Sequence, residues 1–96
     1  MDNYNLSHEA RNDLRRIYKF SLLNFGIIQA KTYLIKITSI LNALANKSIT
    51  GRSADNLTLG LRKIEIGSHI VFYFNKDKII LVIRVLHKSM DFEKHI

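Results

Sequence analysis

Apolar residues change their period twice along this chain. Ala10, Leu14, Ile17, Tyr18, Leu22 and Phe25 recur three and four apart, the spacing of one helical face, and Ala30, Tyr33, Leu34, Ile37, Leu41 and Leu44 repeat it. Two helices are predicted. The first opens after Ser7, whose hydroxyl suits an N-cap, and the second runs from about Ile27 to Ala45. Gly26, just past Phe25, suits a left-handed cap, so the pair forms an αα-hairpin. From Asn46 to Gly60 the composition turns to Ser, Thr, Asn, Asp and Gly, which reads as a connecting loop. Beyond it the pattern is that of strands. Leu61 to Ile66 has strand length, Gly67-Ser68 supplies a two-residue hairpin turn, and His69 to Phe74 is rich in β-branched and aromatic residues. Asn75 to Lys78 reverses the chain again. Ile79 to Leu86 is then almost wholly apolar, with β-branched residues at five of eight positions. With Tyr4-Asn5-Leu6 as a short opening strand, the order is β-α-α-β-β-β. This is an α+β fold, a helical hairpin packed on one face of a small antiparallel sheet.

Strand parity sharpens that expectation, because successive side chains point to opposite faces. Ile79, Leu81, Ile83, Val85 and His87 share one face of the last strand, and Ile80, Val82, Arg84, Leu86 and Lys88 the other. Both faces are apolar over most of their length. A helical hairpin covers only one of them, so the second is expected to be an open hydrophobic groove or to be occupied by another protein.

Length and composition narrow the class. Ninety-six residues make one domain, 1–96, with a single core, and 47% hydrophobic with 24% charged residues marks a folded chain. The N-terminal Met1 to Asn5 is polar and the longest apolar run is far shorter than a membrane span, so a cytoplasmic protein without a membrane partner is expected. There is no cysteine, which removes disulfide and thiolate chemistry, and the histidines at 8, 69, 87 and 95 lack metal-ligand spacing. Neither metal nor cofactor is expected. The net charge of +7 attracts anionic partners of any kind, whether nucleic acid, acidic protein or membrane face, and its dispersed cations form no basic tail.

Few residues invite chemistry. Arg84 interrupts an apolar strand and needs carboxylates or carbonyls to offset its desolvation, either a partner's acid or a structural pair with Glu65 or Asp91. His87, Lys88, Met90 and Asp91 lie where the last strand leaves the sheet, and His69 begins the strand before it. Arg62 and Lys63 straddle the sheet. Arg11, Arg15 and Lys19 form a basic helical stripe, which is read as a solvated face, and Tyr18, Phe25 and Tyr33 sit at packing positions. No catalytic triad, phosphate loop or paired catalytic carboxylates follow from spacing.

Gly60-Leu61-Arg62, Gly67-Ser68-His69, Phe72-Tyr73 and the run Arg84-Val85-Leu86-His87-Lys88-Ser89-Met90-Asp91 resemble the C-terminal half of ParE toxins, within the ParE/RelE superfamily of bacterial toxin-antitoxin systems. Leu6-Ser7, Ala10 through Leu14, Phe25-Gly26, Gln29-Ala30, Tyr33-Leu34 and Leu44-Ala45-Asn46 extend the likeness more weakly through the helices. Where the family usually has Asn-Pro, this chain reads Asn46-Lys47, and it contains no proline. The resemblance implies a plasmid-stabilising toxin that binds DNA gyrase and holds it as a cleaved DNA-enzyme complex, without catalysis of its own or sequence-specific nucleic-acid binding alone. It also implies neutralisation by a ParD-type antitoxin. Toxicity would then rest on Arg62, His69, Arg84, His87, Lys88, Met90 and Asp91, and antitoxin capture on the uncovered face at Ile80, Val82, Arg84 and Leu86. RelE-type relatives offer the alternative of a ribosome-dependent mRNA endonuclease built from Arg62, Glu65, Arg84 and His87. Opposite parity of Arg62 and Glu65 counts against it.

Overall fold

A computed structural model describes residues 4–96; Met1, Asp2 and Asn3, the start of the polar N-terminal stretch, lie outside the described residues. Helix α1 (His8–Phe25) begins where the Ser7 hydroxyl accepts the Ala10 amide at 3.0 Å and donates to the Ile83 carbonyl at 2.7 Å. One side chain thus caps the helix and ties it to the last strand. Helix α2 (Ile27–Ala45) follows after Gly26 alone, whose φ of 88° and ψ of 172° let one residue end the first helix and start the second. This is an extended positive-φ conformation rather than the left-handed one expected, and it is open almost only to glycine.

The end of α2 explains the missing proline. Lys47 has a φ of 68°, the Ser48 amide donates to the Ala43 carbonyl at 3.0 Å, and the Lys47 amide donates to Leu44 at 3.3 Å. These are the two bonds of a Schellman stop. Proline, locked near φ −65°, cannot occupy that position.

The sheet has five strands in the order β1-β5-β4-β3-β2. Strands β3 (Leu61–Ile66), β4 (His69–Lys76) and β5 (Ile79–His87) form the antiparallel meander, and β1 (Tyr4–Leu6) adds to β5 in parallel. A two-residue strand β2 (Arg52–Ser53) pairs with β3 inside the stretch expected to be loop. Lys76 pairs with Ile79, which narrows the second turn to Asp77-Lys78.

The parity of β5 is broken at one point. Phe72 pairs with Arg84 but Tyr73 pairs with Val82, so Ile83 is an extra residue bulged out of the ladder. Ile80, Val82 and Val85 therefore face the helices with Val71, Tyr73, Ile37 and Leu41, whereas Ile83 and Leu86 join Ile70, Phe72 and Leu61 on the opposite face. Alternation assigns Val85 wrongly because it counts through the bulge.

The opposite face is not open. Ala54 and Leu57 from the β2–β3 connection, with Phe92 of a final 3₁₀ turn (Phe92–Lys94) and Ile96 just after it, pack over it, and the Phe72 and Phe92 rings meet edge to face at 5.1 Å. Phe72 is fully buried and Leu86 is 1% exposed. The expected antitoxin surface is corrected accordingly. Ile80 and Val82 are 2% and 0% exposed beneath the helices, Leu86 lies beneath the chain's own C-terminal turn, and no common face presents them to a partner.

Candidate functional site

The uncovered apolar surface lies instead on the helical hairpin. Residues 22 to 29 at the helix-to-helix corner are all exposed, so Leu22 and Phe25, expected in the buried stripe, face outward, as does Phe20. Between the helical hairpin and the end of the sheet at residues 68–69 and 85–87 is a groove of about 680 Å³. Ile17, Phe20, Phe25, Val85 and Met90 supply its apolar lining. Arg16 and Lys36 add positive charge, and Asp13 is its only carboxylate among the described residues.

Asp13 is not available to a ligand. Its buried carboxylate accepts from Arg84 Nε at 2.8 Å and Nη2 at 2.9 Å, from Arg16 Nη2 at 2.6 Å and from the Val85 amide at 2.9 Å. The last bond satisfies a strand-edge donor just beyond the reach of β1. Burial alone would raise this carboxyl, but the bonds from Arg84 and Val85, the Arg84 charge and the Arg16 bond together hold it below the usual carboxylate range. Arg84 spends its remaining nitrogen on the His95 carbonyl at 3.1 Å. Its partner is thus neither Glu65 nor Asp91, nor an outside acid. Of the two readings left open for Arg84, a partner's acid or a structural pair, the structural pair holds, with Asp13 as its acid 71 residues away.

Tyr33, His69 and His87 form the polar end of the groove. The Tyr33 hydroxyl donates to the Ile66 carbonyl at 3.0 Å, accepts the Ser68 amide at 3.2 Å and lies 2.7 Å from His69 Nδ1. Which of the two donates in that short contact follows from the tautomer of His69. Burial, then the nearby His87, lower the His69 pKa against a smaller opposing pull from Asp13. The two imidazoles, paired across β4 and β5, stand edge to face at 5.3 Å. His87 Nδ1 accepts the Ser89 amide at 3.1 Å.

Of the residues singled out from sequence, His69, His87 and Met90 meet in this groove, and Leu86 reaches its wall. The others are elsewhere. Arg62 donates to the Gly51 carbonyl while its buried Nε has no partner; Lys88 pairs with Glu65 at 3.0 Å; the Asp91 carboxylate caps the final turn by accepting the Glu93 amide at 3.2 Å. Sequence reasoning missed Asp13, Arg16, Phe20 and Lys36 and treated Tyr33 and Phe25 as packing. One signal was present: Asp13 stands on the same helical face as Ala10 and Ile17, an acid in an apolar stripe that requires a buried cation.

The arrangement suits capture of an amphipathic segment, with apolar side chains in the groove and acids toward Arg16 and Lys36. Comparison with known proteins places this geometry in a lineage. Residues 4–92 match the family described as ParE toxin of type II toxin-antitoxin system, parDE. A protein of Caulobacter vibrioides described as Toxin ParE1 is 34% identical over 96 residues, covering 100% of this chain and 99% of that one. A Toxin ParE1 of Mycobacterium tuberculosis is 33% identical over 94 residues, 97% of this chain and 96% of its own. A solved structure described as the chromosomal ParDE TA system from P. aeruginosa has the same fold, with a TM-score of 0.74 at 21% identity over 91% of this chain and 96% of that one. By its match from residue 4 to 92 and its full-length relatives, this chain belongs to the ParE toxin family.

Proposed function

We propose that this ParE-type toxin acts by binding rather than by catalysis, holding DNA gyrase as a cleaved DNA-enzyme complex, and that a ParD-type antitoxin neutralises it by filling the groove between hairpin and sheet. The observation that carries the antitoxin reading is the groove itself, apolar in lining, edged by Arg16 and Lys36, with its single carboxylate already saturated. An acidic amphipathic segment complements it, and a net charge of +7 speeds the encounter. Gyrase as target rests on membership of the family. The endonuclease alternative is not favoured, since Arg62, Glu65, Arg84 and His87 are each engaged by a different neighbour.

Purified protein incubated with gyrase and supercoiled plasmid tests the reading. Accumulation of linear DNA after denaturation is expected, and its suppression by the cognate antitoxin. Phe20→Asp in the groove should weaken suppression by at least about tenfold, the effect of one lost apolar anchor. Unchanged gyrase activity would reject the target. Undiminished suppression of the variant would move the antitoxin elsewhere.

A further inference from the structure

Leu23, Ile27, Ile28 and Ile35 are not part of the groove, yet they are 74%, 46%, 81% and 63% exposed. A partner seated in the groove leaves them in water. They cluster at and beside the hairpin tip, where every residue from 22 to 29 is exposed. The chain turns there on Gly26 alone, whose amide is bonded back to Leu22.

The charge along the chain from residue 14 to 54, which contains this tip, is of one sign. No Asp or Glu occurs between Asp13 and Asp55, whereas Arg15, Arg16, Lys19, Lys31, Lys36, Lys47 and Arg52 all fall in that stretch. Lys19 lies one helical turn before Leu23. Lys31 lies one turn after Ile27 and Ile28 and one turn before Ile35, so both lysines border the apolar patch. Their stems can lie along it while the ammonium groups reach outward.

We propose that the hairpin tip docks this protein reversibly onto anionic lipid surfaces, with Leu23, Ile27 and Ile28 entering the headgroup boundary and Lys19 and Lys31 meeting lipid phosphates. Apolar insertion and attraction to negative headgroups act together in such interfacial elements. A second copy of the chain is a poorer occupant, because joining two tips sets lysine against lysine with no nearby carboxylate to offset them. A protein cleft would need a preformed socket for these side chains, which a lipid interface does not. Neither helix is long and apolar enough to cross a membrane, so the tip lies at the surface. The proposal is independent of gyrase or antitoxin binding, since its residues are outside the groove.

Cosedimentation with phosphatidylglycerol-rich vesicles, compared with pure phosphatidylcholine vesicles, tests it. Binding to the anionic vesicles that weakens with added salt is expected. The double variant Leu23→Ser with Ile28→Ser should bind at least about tenfold more weakly, as should Lys19→Gln with Lys31→Gln, given about a factor of five per lysine near an anionic surface. All four positions are exposed, and far-UV circular dichroism with thermal melts verifies that the variants remain folded. No cosedimentation at low salt overturns the proposal. So does binding indifferent to Leu23 and Ile28, which would be plain charge adsorption, or a vesicle-free dimer abolished by the serine variant, which would make a second copy the occupant.

Discussion

Asp13 and Arg84 decide more than any other pair of side chains. The carboxylate receives two bonds from Arg84 and one from the Val85 amide, so removing the arginine leaves a buried charge only partly compensated. Arg84→Ala is expected to cost roughly 3 kcal/mol in urea unfolding and to reduce toxicity through the folded fraction rather than through a lost partner contact. Equal stability of variant and parent would refute this. Acid should act at two sites in one direction. The folded-state pKa of Asp13 is lowered, so its contribution is present above its unfolded pKa and is lost as pH falls through the folded value. His69 is also lowered, mainly by burial, so the unfolded chain takes up its proton first and stability falls as pH drops below the ordinary imidazole range. Unfolding midpoints measured from neutral to acid pH should decline in both windows, and His69→Gln should remove the upper decline alone.

Among the elements, the stops and turns hold the least obvious conformations. Gly26 has space for a methyl group, with nothing within 4 Å of an added Cβ, but its φ of 88° with an extended ψ does not suit one. Gly26→Ala should therefore cost about 1–3 kcal/mol from backbone strain alone, visible as a lower melting temperature without a change in groove contacts. Lys47 presents the reverse case. Because its left-handed conformation costs a side-chain-bearing residue about 1 kcal/mol, Lys47→Gly should raise stability by about that amount, whereas Lys47→Pro should prevent the helix stop. The bulge at Ile83 works at this scale too. By adding one residue to β5 it turns Val85 toward the helices and presents its amide to Asp13.

For the whole molecule, the consequence is a sheet covered on both sides and a hairpin whose corner stays exposed. The second cover is thin, and Phe92 is its largest contribution from the C-terminal turn. Phe92→Ala should destabilise by about 2 kcal/mol, less than a fully enclosed phenylalanine, and should increase binding of an apolar dye as Ile83 and Leu86 are uncovered. Unaltered dye binding would show that the loop at Ala54 and Leu57 suffices. Most of the large apolar side chains left exposed, Phe20, Leu22, Leu23, Phe25, Ile27, Ile28 and Ile35, belong to the hairpin, which supplies the groove on one side and the lysine-bordered tip beyond it.

Local pattern was enough for the two helices, the Ser7 cap, the Gly67-Ser68 hairpin and the meander, because each depends on residues close in sequence and on periods of 3.6 and 2. Motif likeness through Gly60 to Asp91 was enough for the family. Contacts distant in sequence were decided only by the tertiary structure. Nothing along the chain marks Ile83 as the bulged residue, and alternation counted through it misplaces Val85. Nothing local reveals that Phe92 and Ile96 return over the sheet, or that Asp13 meets Arg84. Exposure of Leu22 and Phe25 is likewise set by what packs against the end of α1, a relation between elements that periodicity within one helix does not contain.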